Sequence, residues 1–132
     1  MKLKTYVDWE SFECLIDKLI DQISNNDCSI EFITGIPRGG IIPAVVLSHR
    51  LKIPYCEFPS PLPPNTLVVD DIADTGETLK TKTYGFQTAV LYYKPHTSCF
   101  KPTFWAEEYY EDGWIIFPWE RTDSNTIQDY LR

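Results

Sequence analysis

The sequence predicts an α/β fold, in which a mainly parallel, twisted sheet is flanked by helices. Short apolar segments suited to buried strands alternate along the chain with segments whose apolar residues follow helical spacing. Strands that alternate with helices pair in parallel, because each helix carries the chain back to the end of the sheet where the next strand begins. Residues 100–119 depart from this pattern because they are crowded with aromatic residues. We therefore expect a small, aromatic-rich unit at the C-terminus, which we call the hood.

The first half of the chain contains two predicted helices, two predicted strands and a stiff loop. Asp8 is placed to cap the first helix, and Gly35 and Pro37 close the first strand. Lys52 marks the end of the second helix, which is apolar enough to be largely buried. The loop holds four prolines. The predicted elements are helices over residues 9–23 and 41–52, strands over 30–36 and 55–58, and the loop over 59–65.

The second half begins with an apolar strand that we expect to end at Asp70 and Asp71. A turn and a helix over 78–84 follow, with Gly85 as the stop signal. Residues 88–93 alternate well enough to form the next strand. Short strands are expected within 100–119, and a short helix over 125–132.

Length, composition and charge exclude several classes of protein. The 132 residues suit a single domain, with a core of about residues 1–95 and a hood of about 96–132. No apolar run approaches the roughly 20 residues of a membrane span, and the polar start leads into no signal-peptide core. A net charge of −7 without a basic patch argues against nucleic acid as a partner. The four cysteines form no C-x-x-C pair, so we expect reduced thiols in a cytoplasmic protein.

Two candidate site segments fall where predicted strands end. Asp70 and Asp71 close one strand, Asp74 begins the turn after it, and residues 38–40 follow the strand over 30–36. Ligands of parallel α/β sheets bind at the carboxyl ends of the strands. Carboxylates there can hold sugar hydroxyls or a hydrated Mg²⁺, and free amides at the start of a helix can hold a phosphate. Paired aspartates alone are common in surface turns, but the whole pattern suits a phosphorylated sugar.

Residues 68–78 read VVDDIADTGET and closely resemble the signature of the type I phosphoribosyltransferases, which bind phosphoribosyl pyrophosphate (PRPP). The resemblance implies that Asp70 and Asp71 bind the ribose hydroxyls, directly or through Mg²⁺. It implies that Asp74 exchanges a proton with the base near its N7. The 5-phosphate would be bound by Thr75, Gly76, Glu77 and Thr78.

Residues 35–40 read GIPRGG and resemble the pyrophosphate loop of the same family. Taken alone, the segment is also typical of a tight strand-to-helix turn. The resemblance implies that Arg38 acts in catalysis with Asp74, and that Arg38 and the amides of Gly39 and Gly40 contact the departing diphosphate. Family members often carry a non-trans peptide bond before this arginine, so we expect one between Pro37 and Arg38.

A third element resembles the base-recognition part of the xanthine-guanine and hypoxanthine phosphoribosyltransferases. Lys94 stands before a proline at a predicted strand end, and Trp114 and Ile115 lie in the aromatic tail. The resemblance implies that Lys94 donates to a purine oxo group, Trp114 stacks on the base, and backbone groups at Ile115 read the base edge. Each could singly be an ordinary surface or core residue. A lysine suits an oxo acceptor and not the amino group of adenine, which favours guanine, hypoxanthine or xanthine.

The sequence therefore predicts a purine phosphoribosyltransferase, a glycosyltransferase that uses PRPP and Mg²⁺ and forms a dimer or tetramer. Two alternatives stay open: a non-catalytic PRPP- or nucleotide-binding regulator on the same fold, and a phosphoribosyltransferase for another base. The regulator is suggested by the loop over 59–65, because family members usually have a longer, mobile loop that closes over the reacting centre. An aspartate-based phosphatase is disfavoured, since Asp70-Asp71 is not a D-x-D arrangement.

Overall fold

The computed structural model describes residues 3–26 and 29–120 of the chain. These residues form six strands and three helices, and the helix expected over 125–132 lies outside them. In chain order the elements are β1 (Leu3–Tyr6), α1 (Trp9–Ser24), β2 (Phe32–Gly35), α2 (Ile41–Leu51), β3 (Thr66–Ala73), α3 (Glu77–Lys82), β4 (Gln87–Tyr93), β5 (Phe104–Glu108) and β6 (Gly113–Ile116).

The described strands form two sheets in which every pair is parallel. One sheet has the order β2-β3-β4-β5, and the other consists of β1 and β6. Helix α2 connects β2 to β3, and α3 connects β3 to β4. The predicted α/β class with a mainly parallel sheet is confirmed. As predicted, the Asp8 side chain caps α1 by accepting from the Ser11 amide at 2.7 Å.

Apolar side chains pack on both faces of the four-stranded sheet, because successive residues of a strand point to opposite sides. On one face Leu67 and Val69 of β3 join a buried cluster with Phe12 of α1 and Leu47 of α2. On the other face the cluster includes Val68 and Leu79 of α3. A strand covered on both faces presents its functional groups only at its ends, which places a site at the edge where β2, β3 and β4 finish.

Two strand predictions were wrong in extent. Strand β3 does not end at the aspartates but continues to Ala73, because its pairing with β4 resumes at Ile72 and Ala73. The strand expected over 55–58 is reduced to one bridge between Ile33 and Tyr55. Prolines follow there, and a proline has no N–H with which to extend a ladder.

Strand pairing connects the chain segments on the two sides of residue 95. Strand β5 adds to the core sheet beside β4, and the N-terminal β1 pairs with β6. The aromatic tail thus contributes one strand to each sheet. Within residues 3–26 and 29–120, no helix combines the length and apolar character needed to cross a membrane.

Candidate functional site at the carboxyl ends of β2, β3 and β4

The loop after β2 packs directly against the acidic end of β3. A methyl group on Gly39 would lie 2.2 Å from Oδ2 of Asp71, and one on Gly40 would lie 2.2 Å from the Val69 carbonyl oxygen. Only glycine can bring the backbone this close. The peptide bond between Pro37 and Arg38 is cis, which confirms the expectation for this loop. Arg38 is exposed at the tip of this loop, three residues before Ile41, where α2 begins.

One carboxylate oxygen of Asp70 and one of Asp71 each accept a hydrogen bond from the amide of the next residue. Oδ1 of Asp70 accepts from the Asp71 amide at 2.9 Å, and Oδ1 of Asp71 accepts from the Ile72 amide at 2.8 Å. Burial raises the pKa of the Asp71 carboxyl; hydrogen bonds with Asp70 and the Ile72 amide oppose the rise, and the charge of Glu120 adds to it. The site therefore favours a hydroxyl donor or a cation beside Asp71, since either would stabilise its ionised form.

The two aspartates fit a Mg²⁺ ion that is shared with a substrate. Mg²⁺ usually binds one or two carboxylates together with waters and substrate phosphates, and it rarely uses an all-protein cage. In the described part of the chain, no three His, Cys, Asp or Glu side chains converge on a possible metal site. Asp70 and Asp71 could thus hold the ion only with oxygens that PRPP or water supplies.

Asp74 and Lys94 meet because the strands that carry them are in register. Ala73 of β3 pairs with Tyr93 of β4, so the residues that follow these two emerge side by side. Nζ of Lys94 lies 3.5 Å from Oδ2 of Asp74. The Asp74 side chain is 54% exposed, whereas that of Lys94 is 7% exposed. An accessible carboxylate therefore stands beside a nearly buried ammonium group.

Three groups surround the Lys94 ammonium among the residues that the structure describes. Besides Asp74, it donates to the Gly113 carbonyl at 3.2 Å and lies 5.5 Å from the centre of the Tyr109 ring. Gly113 begins β6, so this contact ties Lys94 to the strand that carries Trp114 and Ile115. Both of those residues are half-buried. The structure thus brings Lys94 to the strand that carries the other two residues expected to bind the base.

The turn expected to bind a phosphate lies between β3 and α3. Gly76 has φ +82°, a backbone conformation that side chains disfavour, and Thr75 and Glu77 beside it are exposed while Thr78 is half-buried. The Cys99 amide donates to the Thr75 carbonyl at 2.7 Å and fixes the turn from the far side. Helix α3 has only six residues, shorter than expected.

Two residues at this site were not singled out from the sequence. Thr97 Oγ1 donates to the Asp74 carbonyl at 2.8 Å and lies 3.4 Å from Oδ1 of the same residue. The Tyr109 hydroxyl lies 2.7 Å from the Thr5 hydroxyl and links the end of β5 to β1. The only sequence signal for Thr97 is its place three residues after Lys94, and Tyr109 is one aromatic among many in its segment.

Comparison with known proteins supports the resemblance to purine phosphoribosyltransferases that the sequence motifs indicated. No protein-family model matches the chain. The chain is 29% identical over 114 residues to a xanthine-guanine phosphoribosyltransferase of Cereibacter sphaeroides, covering 67% of this chain and 68% of that protein. It is 28% identical to a purine phosphoribosyltransferase from Pyrococcus horikoshii of known structure, with a TM-score of 0.74 over 95% of this chain and 99% of that one.

Two further solved structures share the fold at lower identity. The Helicobacter pylori xanthine-guanine-hypoxanthine phosphoribosyltransferase is 20% identical, with a TM-score of 0.79 over 90% of this chain and 93% of that one. A hypothetical protein from Neisseria gonorrhoeae, solved with bound ppGpp, is 24% identical, with a TM-score of 0.74 over 93% and 92%. The predicted enzyme class is that of the named relatives, which are glycosyltransferases. The chain has the type I phosphoribosyltransferase fold and resembles the xanthine-guanine and purine phosphoribosyltransferases along most of its length.

Proposed function

We propose that this chain transfers the 5-phosphoribosyl group of PRPP to a 6-oxopurine and releases diphosphate. The observation that carries the proposal is the Asp74–Lys94 pair, which stands between the sugar-phosphate segment and the strand that bears Trp114. In the reaction the purine N9 forms a bond to C1 of the ribose, and the bond from C1 to the diphosphate oxygen breaks. The purine also loses a proton.

The sugar-phosphate half of the site would mainly position PRPP and stabilise charge. Asp70 and Asp71 would hold the ribose hydroxyls, directly or with Mg²⁺, and the turn over residues 75–78 would bind the 5-phosphate. Arg38 and the amides of Gly39 and Gly40 would meet the diphosphate as it leaves. Fixed donors and a cation at the developing negative charge lower the barrier, because they need no reorganisation during the reaction. Mg²⁺ would supply further neutralisation of the diphosphate.

The base half would select a 6-oxopurine. The Lys94 ammonium would donate to the oxo group, Trp114 would stack on the ring, and backbone groups at Ile115 would contact the base edge. Asp74 would take or return the proton at N7. Its 54% exposure keeps it accessible to a base, and the Lys94 ammonium lies 3.5 Å from its Oδ2. Adenine would present an amino group to the Lys94 ammonium, so two donors would face each other.

A second candidate function is a non-catalytic regulator that binds PRPP or a guanine nucleotide. Two observations favour it. The Neisseria gonorrhoeae protein with bound ppGpp shares this fold. The loop over 59–65 is also anchored, because Thr66 Oγ1 donates to the Pro63 carbonyl at 2.6 Å and Leu62 packs on the apolar cluster beside Val68. A loop held in this way is poorly suited to closing over a reacting centre.

Diphosphate release separates the two functions. The protein would be mixed with PRPP and Mg²⁺ and offered guanine, hypoxanthine, xanthine or adenine one at a time, with the nucleoside monophosphate measured in parallel. Transfer to at least one 6-oxopurine and little to adenine is the expected result. Measurable binding of PRPP or ppGpp without transfer to any base would favour the regulator. Transfer to adenine alone would overturn the proposed role of Lys94.

The proposal also includes an oligomeric state and a cellular location. We expect a homodimer or homotetramer, since Tyr6 and Trp9 leave 59% and 54% of their surface exposed, and a second subunit could cover such aromatic side chains. We also expect the protein to act in the cytoplasm on PRPP and a purine base, with neither nucleic acid nor a membrane as a partner. Light scattering at several protein concentrations measures the first property.

A further inference from the structure

We propose that Thr97 is a positioning residue that holds the Asp74 carboxylate in the orientation needed for proton exchange with the purine. The inference rests on the proposed function, because it concerns a proton that only a base substrate supplies. Thr97 would act through Asp74 and would not itself touch the base.

Asp74 needs such a hold because its side chain is more than half exposed. A carboxylate on a turn has several accessible rotamers, and fixing one of them costs side-chain entropy. Two groups restrict it among the described residues: the Lys94 ammonium at Oδ2, and the Thr97 hydroxyl at Oδ1 and at the Asp74 carbonyl. The Thr97 hydroxyl has a single proton and lies closer to the carbonyl, so it fixes the main chain first and the carboxylate second.

Thr97 is itself held in place by a short turn. The amides of Thr97 and Ser98 donate to the Lys94 carbonyl at 3.3 and 2.9 Å. The Cys99 amide then bonds the Thr75 carbonyl at 2.7 Å. Both sides of Thr97 are therefore tied down, one to the lysine of the base site and the other to the phosphate turn. The hydroxyl reaches Asp74 without any further ordering of the chain.

Thr97 and Lys94 both act on Asp74 when a base enters the site. The Lys94 ammonium has three protons, two of which meet Asp74 and the Gly113 carbonyl, so a purine oxo group would take the third. Thr97 is the second restraint on Asp74 at the moment when the proton moves. Its effect should consequently fall on the chemical step and not on PRPP binding.

The test compares Thr97→Val, which removes the hydroxyl at nearly constant shape, with Thr97→Ser, which keeps it. Thr97→Val should lower kcat with the preferred 6-oxopurine about tenfold, a part of the roughly 10²- to 10⁴-fold that a positioned acid–base group contributes. The KM for PRPP should stay within about twofold. Thr97→Ser should restore kcat to within about threefold of the wild-type value, which a purely structural loss would not.

A matched control is Thr103→Val. The Thr103 hydroxyl also makes a backbone hydrogen bond, accepting from the Thr88 amide at 3.0 Å, but at the opposite end of the sheet. It should leave kcat unchanged. An active wild-type enzyme whose Thr97→Val variant keeps full kcat, or loses PRPP binding as strongly as kcat, overturns the positioning role alone. A wild-type protein that transfers to no base overturns the proposed function and this inference with it.

Discussion

Replacing Gly39 by alanine tests whether the loop after β2 and the acidic end of β3 form one rigid surface for PRPP. The added methyl group would lie 2.2 Å from Oδ2 and 2.5 Å from Cγ of Asp71. Real Cβ contacts under 3.0 Å essentially never occur, so the loop and the carboxylate must separate by about 0.8 Å. Gly39 does not have a positive φ, so an alanine there would cause no backbone strain. The expected loss of activity therefore comes from the steric contact with Asp71 alone.

Neither side of this contact can yield easily. Rotating the Asp71 carboxyl would break its 2.8 Å bond with the Ile72 amide. Moving the loop would disturb Gly40, which already lies against the Val69 carbonyl and whose amide donates to the Ile36 carbonyl at 2.8 Å. A displacement near 1 Å in a positioning group can cost about 10²-fold in rate. We expect kcat/KM for PRPP to fall by about 30- to 100-fold, with folding retained.

The assay is initial-rate diphosphate release at varied PRPP, with circular dichroism to check the fold. Gly85→Ala is the control, because it adds the same methyl group where nothing lies within 4 Å. Its positive φ of +86° should cost about 1–2 kcal/mol of stability without affecting turnover. If Gly39→Ala keeps PRPP affinity and turnover within about twofold of the wild type, the loop and Asp71 do not act as a unit.

Three other substitutions test the remaining parts of the site. Asp74→Ala should reduce turnover with guanine or hypoxanthine by at least about 10²-fold while PRPP binding changes little, because the lost group handles the purine proton; steady-state kinetics and PRPP calorimetry measure both, and equal losses would contradict the role. Lys94→Met should raise the KM for 6-oxopurines by about 10- to 100-fold, as expected for a lost charged hydrogen bond, and should narrow the preference over adenine; an unchanged preference would argue against donation to the oxo group. Trp114→Ala should weaken binding of the purine nucleotide by about 1–3 kcal/mol in calorimetry, the size of a base–aromatic stack; Tyr84→Ala, at a 91% exposed aromatic, is its control, and equal effects would remove the stacking role.

The sequence predicted the parts of the fold that depend on local patterns. Helix α1 begins and ends within a residue of its predicted bounds because apolar spacing and the Asp8 cap both act locally. Lys52, predicted to mark the end of α2, is its C-cap in the left-handed conformation. The order of strands and helices likewise sufficed to place the ends of β2, β3 and β4 at one edge of the sheet. The sequence therefore also predicted that the glycine loop after β2 would lie near the aspartates of β3.

What the sequence could not supply depends on partners that are distant along the chain. Strand β3 runs past Asp71 because β4 offers backbone partners there, which no pattern in β3 itself reveals. Strand β5 joins the core sheet, although its aromatic residues resemble those of the neighbouring β6. The 2.8 Å bond from Thr97 to Asp74 spans 23 positions and was likewise invisible. Aromatic content alone does not indicate which sheet a strand will join.

Burial differs between the two halves of the candidate site. Lys94 is only 5% exposed, because the start of β6 and the Tyr109 ring cover it. The Lys94 ammonium is therefore shielded from water before any ligand arrives, although the Asp74 carboxylate beside it stays 54% exposed. Charged contacts of a buried ammonium act at a lower effective dielectric constant than contacts at the surface. Arg38, in contrast, is exposed, so the diphosphate half stays open beside an anchored loop. Under the proposed function, the buried Lys94 ammonium would hold the base, and the diphosphate would leave from the open half beside Arg38.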